Sequence, residues 1–198
     1  AAKTLASGTR VTGPRLAVLT NGGGPGVMAA DRAGDLHVPL GELSAATIEQ
    51  LSNVLPAHWS HSNPVDILGD AGSDRYRAAT GILLADEKID GLLVLLTPQA
   101  MTDPTACAEA VVAAAADSHK PVLSCWMGEN LVSEGRKRFD AADIPHFTSP
   151  EAGVDAFGYL AAYRRNQNAL LQAPPPLSQN QQADVEGARH IRLLLAHC

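Results

Sequence analysis

Two stretches of this chain run apolar without a charged residue, Leu16-Ala17-Val18-Leu19-Thr20 and Gly91-Leu92-Leu93-Val94-Leu95-Leu96-Thr97. A strand with one wet face alternates apolar and polar positions, whereas a continuous apolar run suits a strand buried on both faces of a parallel sheet. Between and after these runs the apolar spacing changes to that of helices. Ser44 reads as a helix N-cap ahead of Ile48, Leu51, Val54 and Leu55, and Pro56 ends that helix. Ser73 reads as the cap of a second one carrying Tyr76, Ala79, Thr80, Leu83 and Leu84. Asp103-Pro104 sets a cap and a first helical residue ahead of Cys107, Ala110, Val111 and Ala114. The pattern predicts further strands at Leu36–Val38, Pro121–Trp126 and Ile144–Phe147. Further helices are expected at Val27–Ala33 and Glu129–Asp140, and after Ser149-Pro150 as far as about Leu171. Residues 57–72 read as a loop-rich connector.

Strands alternating with helices imply an α/β fold with a parallel sheet covered on both faces. Five strands in the flavodoxin-like, Rossmann-like order 2-1-3-4-5 is the expected three-layer arrangement. In that order strands 1 and 3 are neighbours at the topological switch point, where ligands bind beyond the carboxyl ends. The two loops brought together there are Asn21–Val27 and Thr97–Thr102.

The first of these loops, Asn21-Gly22-Gly23-Gly24-Pro25-Gly26-Val27, is rich in glycine and runs from strand to helix. Glycine permits close approach of backbone to a ligand, and Pro25 has the φ preferred at a first helical position. The amides of Gly23, Gly24, Gly26 and Val27 are therefore expected at a helix start, where unpaired N–H groups and the helix dipole favour a phosphate or carboxylate. The stretch lacks the Lys-Ser/Thr pair of a P-loop and does not fit the dinucleotide fingerprint. Two readings of these glycines remain open, a phosphate cradle and a tight strand-to-helix connection.

Charge and composition narrow the partners. The 198 residues carry a net charge of −6 and no basic run, which argues against nucleic acid and anionic membrane surfaces. No apolar run approaches the roughly 20 residues needed to span a bilayer. The N-terminal residues show no signal-peptide pattern. Cys107, Cys125 and Cys198 lie far apart with no CxxC pair, so neither a disulfide framework nor a zinc site is expected, and a cytoplasmic location fits. Cys125 falls in a buried strand, where a thiol behaves as a small hydrophobe. His58 and His61 flank Trp59 without a nearby carboxylate motif and make a poor metal pair, so no metal site is expected. His119 and His146 fall at the sheet end away from the crevice. Asp66, in Asn63-Pro64-Val65-Asp66, places a carboxylate either near the crevice or on its own backbone as a turn cap. Gln99 and Thr102 are placed to hydrogen-bond a phosphate or else line a solvated loop. Arg136-Lys137-Arg138 and Arg164-Arg165 read as solvated helix faces or as interdomain salt contacts.

Residues 1–14 read as an N-terminal linker, 15–172 as the domain, and the Pro/Gln-rich stretch 173–185 as a second linker. Residues 186–198 start a further helical piece. The chain opens on Ala1 and ends in a helical pattern at Leu193-Leu194-Leu195, which reads as a domain excised from something longer.

Taken together, Thr20–Val27, Asn63–Asp66, Thr97-Pro98-Gln99 and Lys120-Pro121-Val122-Leu123 resemble the succinyl-CoA-synthetase-like flavodoxin domain of nucleoside-diphosphate-forming acyl-CoA synthetases. The resemblance runs from about Arg15 to Gln172. Within that group, Leu55–Asp70 and Cys125–Glu129 look most like the synthetase-like part of bacterial protein lysine acetyltransferases, which join this module to a GNAT domain. Gly187-Ala188-Arg189 resembles the opening of an ATP-grasp domain.

The resemblance implies one domain of an enzyme that converts acyl-CoA, ADP and phosphate into acid, ATP and CoA by way of an acyl phosphate and a phosphohistidine. The histidine belongs to another domain, so no catalytic residue is expected in this chain and the isolated fragment is expected to be inactive. The residues implied in holding the phosphoryl group are Asn21, Gly22, Gly23, Gly24, Pro25, Gly26 and Val27 from the first loop. From the second they are Pro98, Gln99, Ala100, Met101 and Thr102, with Asn63 and Asp66 in support. CoA, ATP or ADP and Mg are implied for the full protein and none for this domain alone. The implied partners are the CoA-binding, phosphohistidine and ATP-grasp domains, or a GNAT domain, with homo-oligomers compatible. The alternative the resemblance leaves open is a regulatory acyl-CoA-sensing module of a lysine acetyltransferase.

Overall fold

Strand β1 (Leu16–Thr20) is buried at every position and lies beside β3 (Gly91–Leu96), equally buried, in the middle of a five-stranded parallel sheet of order β2-β1-β3-β4-β5. The structure, a computed structural model, describes residues 10–172. The other strands are β2 (Val65–Asp66), β4 (Val122–Trp126) and β5 (His146–Phe147). The helices are α1 (Gly23–Asp35), α2 (Ala45–Val54), α3 (Ser73–Ala85), α4 (Pro104–Ala115), α5 (Ser133–Ala141) and α6 (Pro150–Leu171). Ser73, expected to cap α3, is its first residue; Gly72 holds the cap position and has no side chain to bond the first turn. Residues up to Asn166 form one compact unit; a second begins at Gln167, of which residues 167–172 are described. The expected linker at 173–185 and the start of a further domain at 186–198 lie outside the described residues.

The apolar runs are explained by the two faces of the sheet. Ala17, Leu19, Leu92, Val94 and Leu96 pack on one side with Leu51, Tyr76, Leu83, Val111 and Phe139 from α2–α5. Leu16, Val18, Leu93 and Leu95 point the other way, onto Ala29 and Ala33 of α1 and Val154 and Phe157 of α6. Neighbouring residues of a strand project to opposite faces, so both sets must be apolar when both faces are covered.

Strand 2 is not where the hydrophobic pattern placed it. Leu36–Val38 ends α1 instead of pairing: Val38 N donates to Ala33 O and His37 takes a left-handed φ of 53°. The second strand is Val65–Asp66, inside the expected connector, paired with Leu19 and Thr20. Three different segments in turn satisfy the outer edge of β1. Leu16 exchanges bonds with the 39–41 segment (its N donates to Pro39 O, its O accepts from Gly41 N), and Thr20 O accepts from Ile67 N. Between them the Asn63 side chain stands in for a strand: its Oδ1 accepts from Val18 N at 2.9 Å, and its Nδ2 donates to Leu16 O at 2.8 Å and Gly41 O at 2.9 Å. A primary amide carries the same donor and acceptor as a peptide group, so it can replace one rung of the ladder.

The amino end of the sheet is closed by charge. Asp90, just before β3, accepts from Arg15 through Nε at 2.7 Å, Nη2 at 2.9 Å and the main-chain N at 2.9 Å, and from Thr12 Oγ1 at 3.1 Å. Residues 11–14, expected within a linker, therefore belong to the domain. Val11 is buried in the α1/α6 core, and any side chain at Gly13 would collide with the Asp90 carboxylate.

Two outcomes follow for stability. Asn63→Ala leaves Val18 N and the carbonyls of Leu16 and Gly41 without this partner, and should cost about 2–3 kcal/mol in urea unfolding; an unchanged midpoint would show that water replaces the amide. Burial pushes the carboxyl pKa of Asp90 up, but the hydrogen bonds from Arg15 and Thr12 outweigh it and hold the folded value below the usual carboxylate range. The folded state then binds this proton less readily than the unfolded one. The contribution is present above an unfolded pKa of about 3.9 and is lost as pH falls through the folded value. Stability should drop in this acid range, and Asp90→Asn should make the drop shallower.

Candidate functional site

The carboxyl ends of β1, β3 and β4 open on one crevice, reached from β1 through a turn that Thr20 organises. Thr20 Oγ1 donates to Gly22 O at 2.8 Å and accepts from Gly22 N at 3.1 Å. Gly22 is then the N-cap of α1, with extended backbone and no side chain to cap it. The helix begins at Gly23, earlier than the glycine pattern suggests, and Pro25 occupies the third helical position instead of the first. A proline is tolerated there because none of the first-turn N–H groups has an intrahelical acceptor. Gly26 N already donates to Gly22 O at 3.3 Å, so Gly26 and Val27 belong to the helical ladder. The uncovered amides are those of Gly23 and Gly24, both exposed.

The glycines differ in what holds them there. A Cβ on Gly26 would press on Thr20 Cγ2 at 3.1 Å and Pro64 Cβ at 3.5 Å, which makes this a packing glycine. A Cβ on Gly24 would meet nothing within 4 Å, and Gly24 has no positive φ. A methyl there would only cover the amides. Beside them stands Asp66: its Oδ2 would lie 3.4 Å from a Cβ on Gly23, while its Oδ1 accepts from Leu68 N at 2.9 Å. Both readings of Asp66 thus apply to different oxygens of one carboxylate.

Asn21 is 1% exposed and does not face the crevice. Its Oδ1 accepts from Thr97 N at 2.8 Å and its Nδ2 donates to Thr97 O at 2.9 Å, clamping the end of β1 to the end of β3. Asn63, as described above, is committed to β1 in the same manner. Neither amide has a free end for a ligand, so both expected ligand or support residues act as backbone clamps.

The second loop does converge on the first. Gln99 and the Asn21 carbonyl both lie beside Gly69, where an added Cβ would be 3.8 Å from Gln99 Cγ and from Asn21 O. The helix behind this loop is closed, however. Asp103 Oδ1 accepts from Thr105 N at 2.9 Å and Ala106 N at 3.1 Å, so a carboxylate fills the start of α4. Thr102 is buried, with its N bonded to Gln99 O. Pro98 is half-buried, and Ala100 and Met101 are exposed. The crevice therefore has one bare helix start and one capped one.

Arg136, expected as part of a solvated face, instead reaches the end of β4. Its Nε and Nη2 donate to Trp126 O at 3.2 and 2.5 Å, and Nη2 also to Gly128 O at 2.7 Å. Arg75 does likewise for β2, with Nη1 on Ile67 O at 2.8 Å and on Asp70 Oδ1 at 2.7 Å. The one signal for these roles is an arginine on the helix that follows each strand end, and only the fold shows that it turns back. Three apolar side chains on the segments that follow β1, β3 and β4 are exposed: Val27 at 58%, Met101 at 75% and Leu131 at 76%. The thiols take no part. Burial pushes both Cys107 and Cys125 up to about 12. Among the described residues no group of three or more His, Cys, Asp or Glu is placed to hold a metal ion, and no helix is long and apolar enough to cross a membrane.

Comparison with known proteins places this geometry. Residues 16–173 match the family model of the Ligase-CoA domain. The ADP-forming acetate–CoA ligase I of Archaeoglobus fulgidus is 41% identical over 150 residues, 76% of this chain and 21% of that protein. The alpha subunit of the ADP-forming acetate–CoA ligase II of Pyrococcus furiosus is 37% identical over 160 residues, 78% of this chain and 35% of that subunit. Among solved structures, acetyl-coenzyme A synthetase 1 of Ca. Korarchaeum cryptofilum, in complex with phosphate and ADP, superposes with a TM-score of 0.80. Its identity is 32%, over 87% of this chain and 38% of that one. The chain thus spans about a fifth to two-fifths of the length of these relatives. With its five-stranded parallel sheet and its match across nearly the whole described region, this chain belongs to the Ligase-CoA domain family found in ADP-forming acetyl-CoA synthetases.

Proposed function

We propose that this domain is the phosphoryl-cradling part of an ADP-forming acyl-CoA synthetase, which converts acyl-CoA, ADP and phosphate to acid, ATP and CoA. The observation that carries the reading is the uncovered pair of amides at Gly23 and Gly24, at the positive end of a 13-residue helix and at the switch point of the sheet. Such a group holds a phosphoryl dianion with dipoles already in place and needs no proton of its own. A phosphohistidine delivered from another domain presents two features to this site: phosphoryl oxygens for the amides, and a ring N–H for the free oxygen of Asp66. The Asp66 carboxylate repels a bare anion, so in this reading free phosphate binds more weakly than the phosphohistidine. Val27, Met101 and Leu131 supply an apolar rim on which the delivering domain docks.

CoA, the adenine nucleotide and Mg belong, in this reading, to other domains of the full protein. The rival reading, an acyl-CoA-sensing module joined to a GNAT domain in a lysine acetyltransferase, requires no phosphoryl site. The bare amides and the ligase relatives weigh against it.

Adding phosphate to the labelled chain should move the amide resonances of Gly23 and Gly24 in a saturable manner, and Asp66→Asn should tighten that response. Saturating phosphate with neither glycine displaced would remove the cradle. In the full-length protein, Gly24→Val should lower ATP formation by at least about 100-fold with the melting temperature of the domain unchanged, because the new side chain enters open space and blocks only the approach. Undiminished turnover in that variant would defeat the reading.

A further inference from the structure

At the opposite end of the sheet, beside the amino ends of β4 and β5, lies a cavity of about 550 Å³. Its rim carries Arg10, His119, Lys120 and Asp143, and its floor includes Val112 and Ile144. Arg10, Lys120 and His119 thus line the cavity with a single carboxylate, Asp143, on a chain whose net charge is −6. A small anion is drawn to such a place, and the apolar floor suits a short acyl chain attached to it.

Lys120 has a fixed position at this rim. Its Nζ donates to the main-chain oxygen of Asp86 at 2.5 Å, and Asp86 is the C-cap of α3. That helix has no basic residue in its own last turn, so Lys120 supplies from a distant part of the chain the cation that a helix C-terminus favours. The bond takes one of three N–H directions and fixes the amine at the end of α3, on a residue that also lines the cavity. Burial pushes the pKa of this ammonium down, and Arg15 adds to the effect; together they outweigh Asp86, Asp90 and Glu87, which act to raise it. A larger share of the amine is therefore neutral, and nucleophilic, than for a lysine in water. By contrast, Lys137 is 72% exposed and paired with Glu134 at 3.0 Å.

We propose that Lys120 is a site of acylation by acyl phosphates, drawn into this cavity by Arg10 and His119. The neutral Nζ attacks the acyl carbonyl carbon, a C–N bond forms, and the bond from that carbon to the phosphate oxygen breaks. The phosphate leaves with the electron pair and takes the amine proton as hydrogen phosphate, so an amide replaces the amine and no other reactant is consumed. The presence of such donors around the chain rests on the ligase reading above; the reactivity of Lys120 does not.

The test uses the whole chain, acetyl phosphate and mass-spectrometric mapping of its four lysines, Lys3, Lys88, Lys120 and Lys137. In the folded protein the initial rate at Lys120 should exceed those at Lys88 and Lys137 by at least about fivefold, and the preference should vanish in urea. Arg10→Gln should slow Lys120 with acetyl phosphate while leaving its rate with the neutral ester p-nitrophenyl acetate unchanged. A Lys120 rate no greater than that of Lys137, or an advantage that persists in urea, overturns the site. An acetyl phosphate rate indifferent to Arg10→Gln overturns the acyl phosphate as donor. None of these failures touches the glycine response to phosphate, so the two readings fall separately.

Discussion

The structure depends on how the main chain of β1 is held. This strand is the second from one edge of the sheet, yet its outer neighbour β2 pairs with only two of its residues. The 39–41 segment and the Asn63 side chain make up the difference on that edge, and a second asparagine fixes the other side. Asn63 bonds Leu16 and Val18 along the outer edge, and Asn21 ties the carboxyl end of β1 to Thr97 at the end of β3. Each amide both donates and accepts against backbone, which neither a carboxylate nor a hydroxyl of the same reach can do at both ends. The Gly22–Gly24 turn leaves β1 immediately after the Asn21 clamp, so the position of the bare helix start relative to the second loop is set by those bonds.

The site that results is electrostatically lopsided. The start of α1 has no capping side chain, while the start of α4 is filled by Asp103. Glycine at the cap costs about a few tenths of a kcal/mol relative to a good capping side chain, and α1 bears that cost at the switch point of the sheet. Asp66 beside the amides and Asp103 across the crevice lower the attraction for a free anion. Under the proposed function, a group that brings its own hydrogen-bond donor, or is carried in by another domain, is favoured over phosphate diffusing alone. The two arginines that turn back onto strand ends, Arg75 and Arg136, spend much of their hydrogen-bonding capacity on carbonyls and stiffen the loops instead of offering open cations.

At the other end of the sheet the logic is reversed. Charges there are paired and partly buried, Asp90 with Arg15 and Lys120 on the end of α3, and they close the sheet below β1 and β3, beside the cavity at the amino ends of β4 and β5. Residues 11–14 are drawn in by the same network, which is why a segment of linker-like composition packs on the domain.

Much of this architecture is legible along the chain because it rests on local chemistry. Apolar runs without charge can only be strands covered on both sides, which located β1, β3 and β4. Ser44, Asp103 and Ser149-Pro150 mark helix starts because their side chains or ring fit the unpaired first turn, and the strand order follows from the handedness of the crossovers. What escapes such reading is whatever depends on a partner distant in sequence. A two-residue strand has no periodicity to detect, and an asparagine that replaces a rung looks the same as one in a turn, so β2 lay hidden in an apparent connector. Asn21 and Asn63 belong, by residue type alone, equally to a ligand site or to a scaffold. Only packing, which set Asn21 opposite Thr97 and Asn63 against Leu16 and Val18, committed both to backbone and left Gly23 and Gly24 as the groups that face the crevice uncovered.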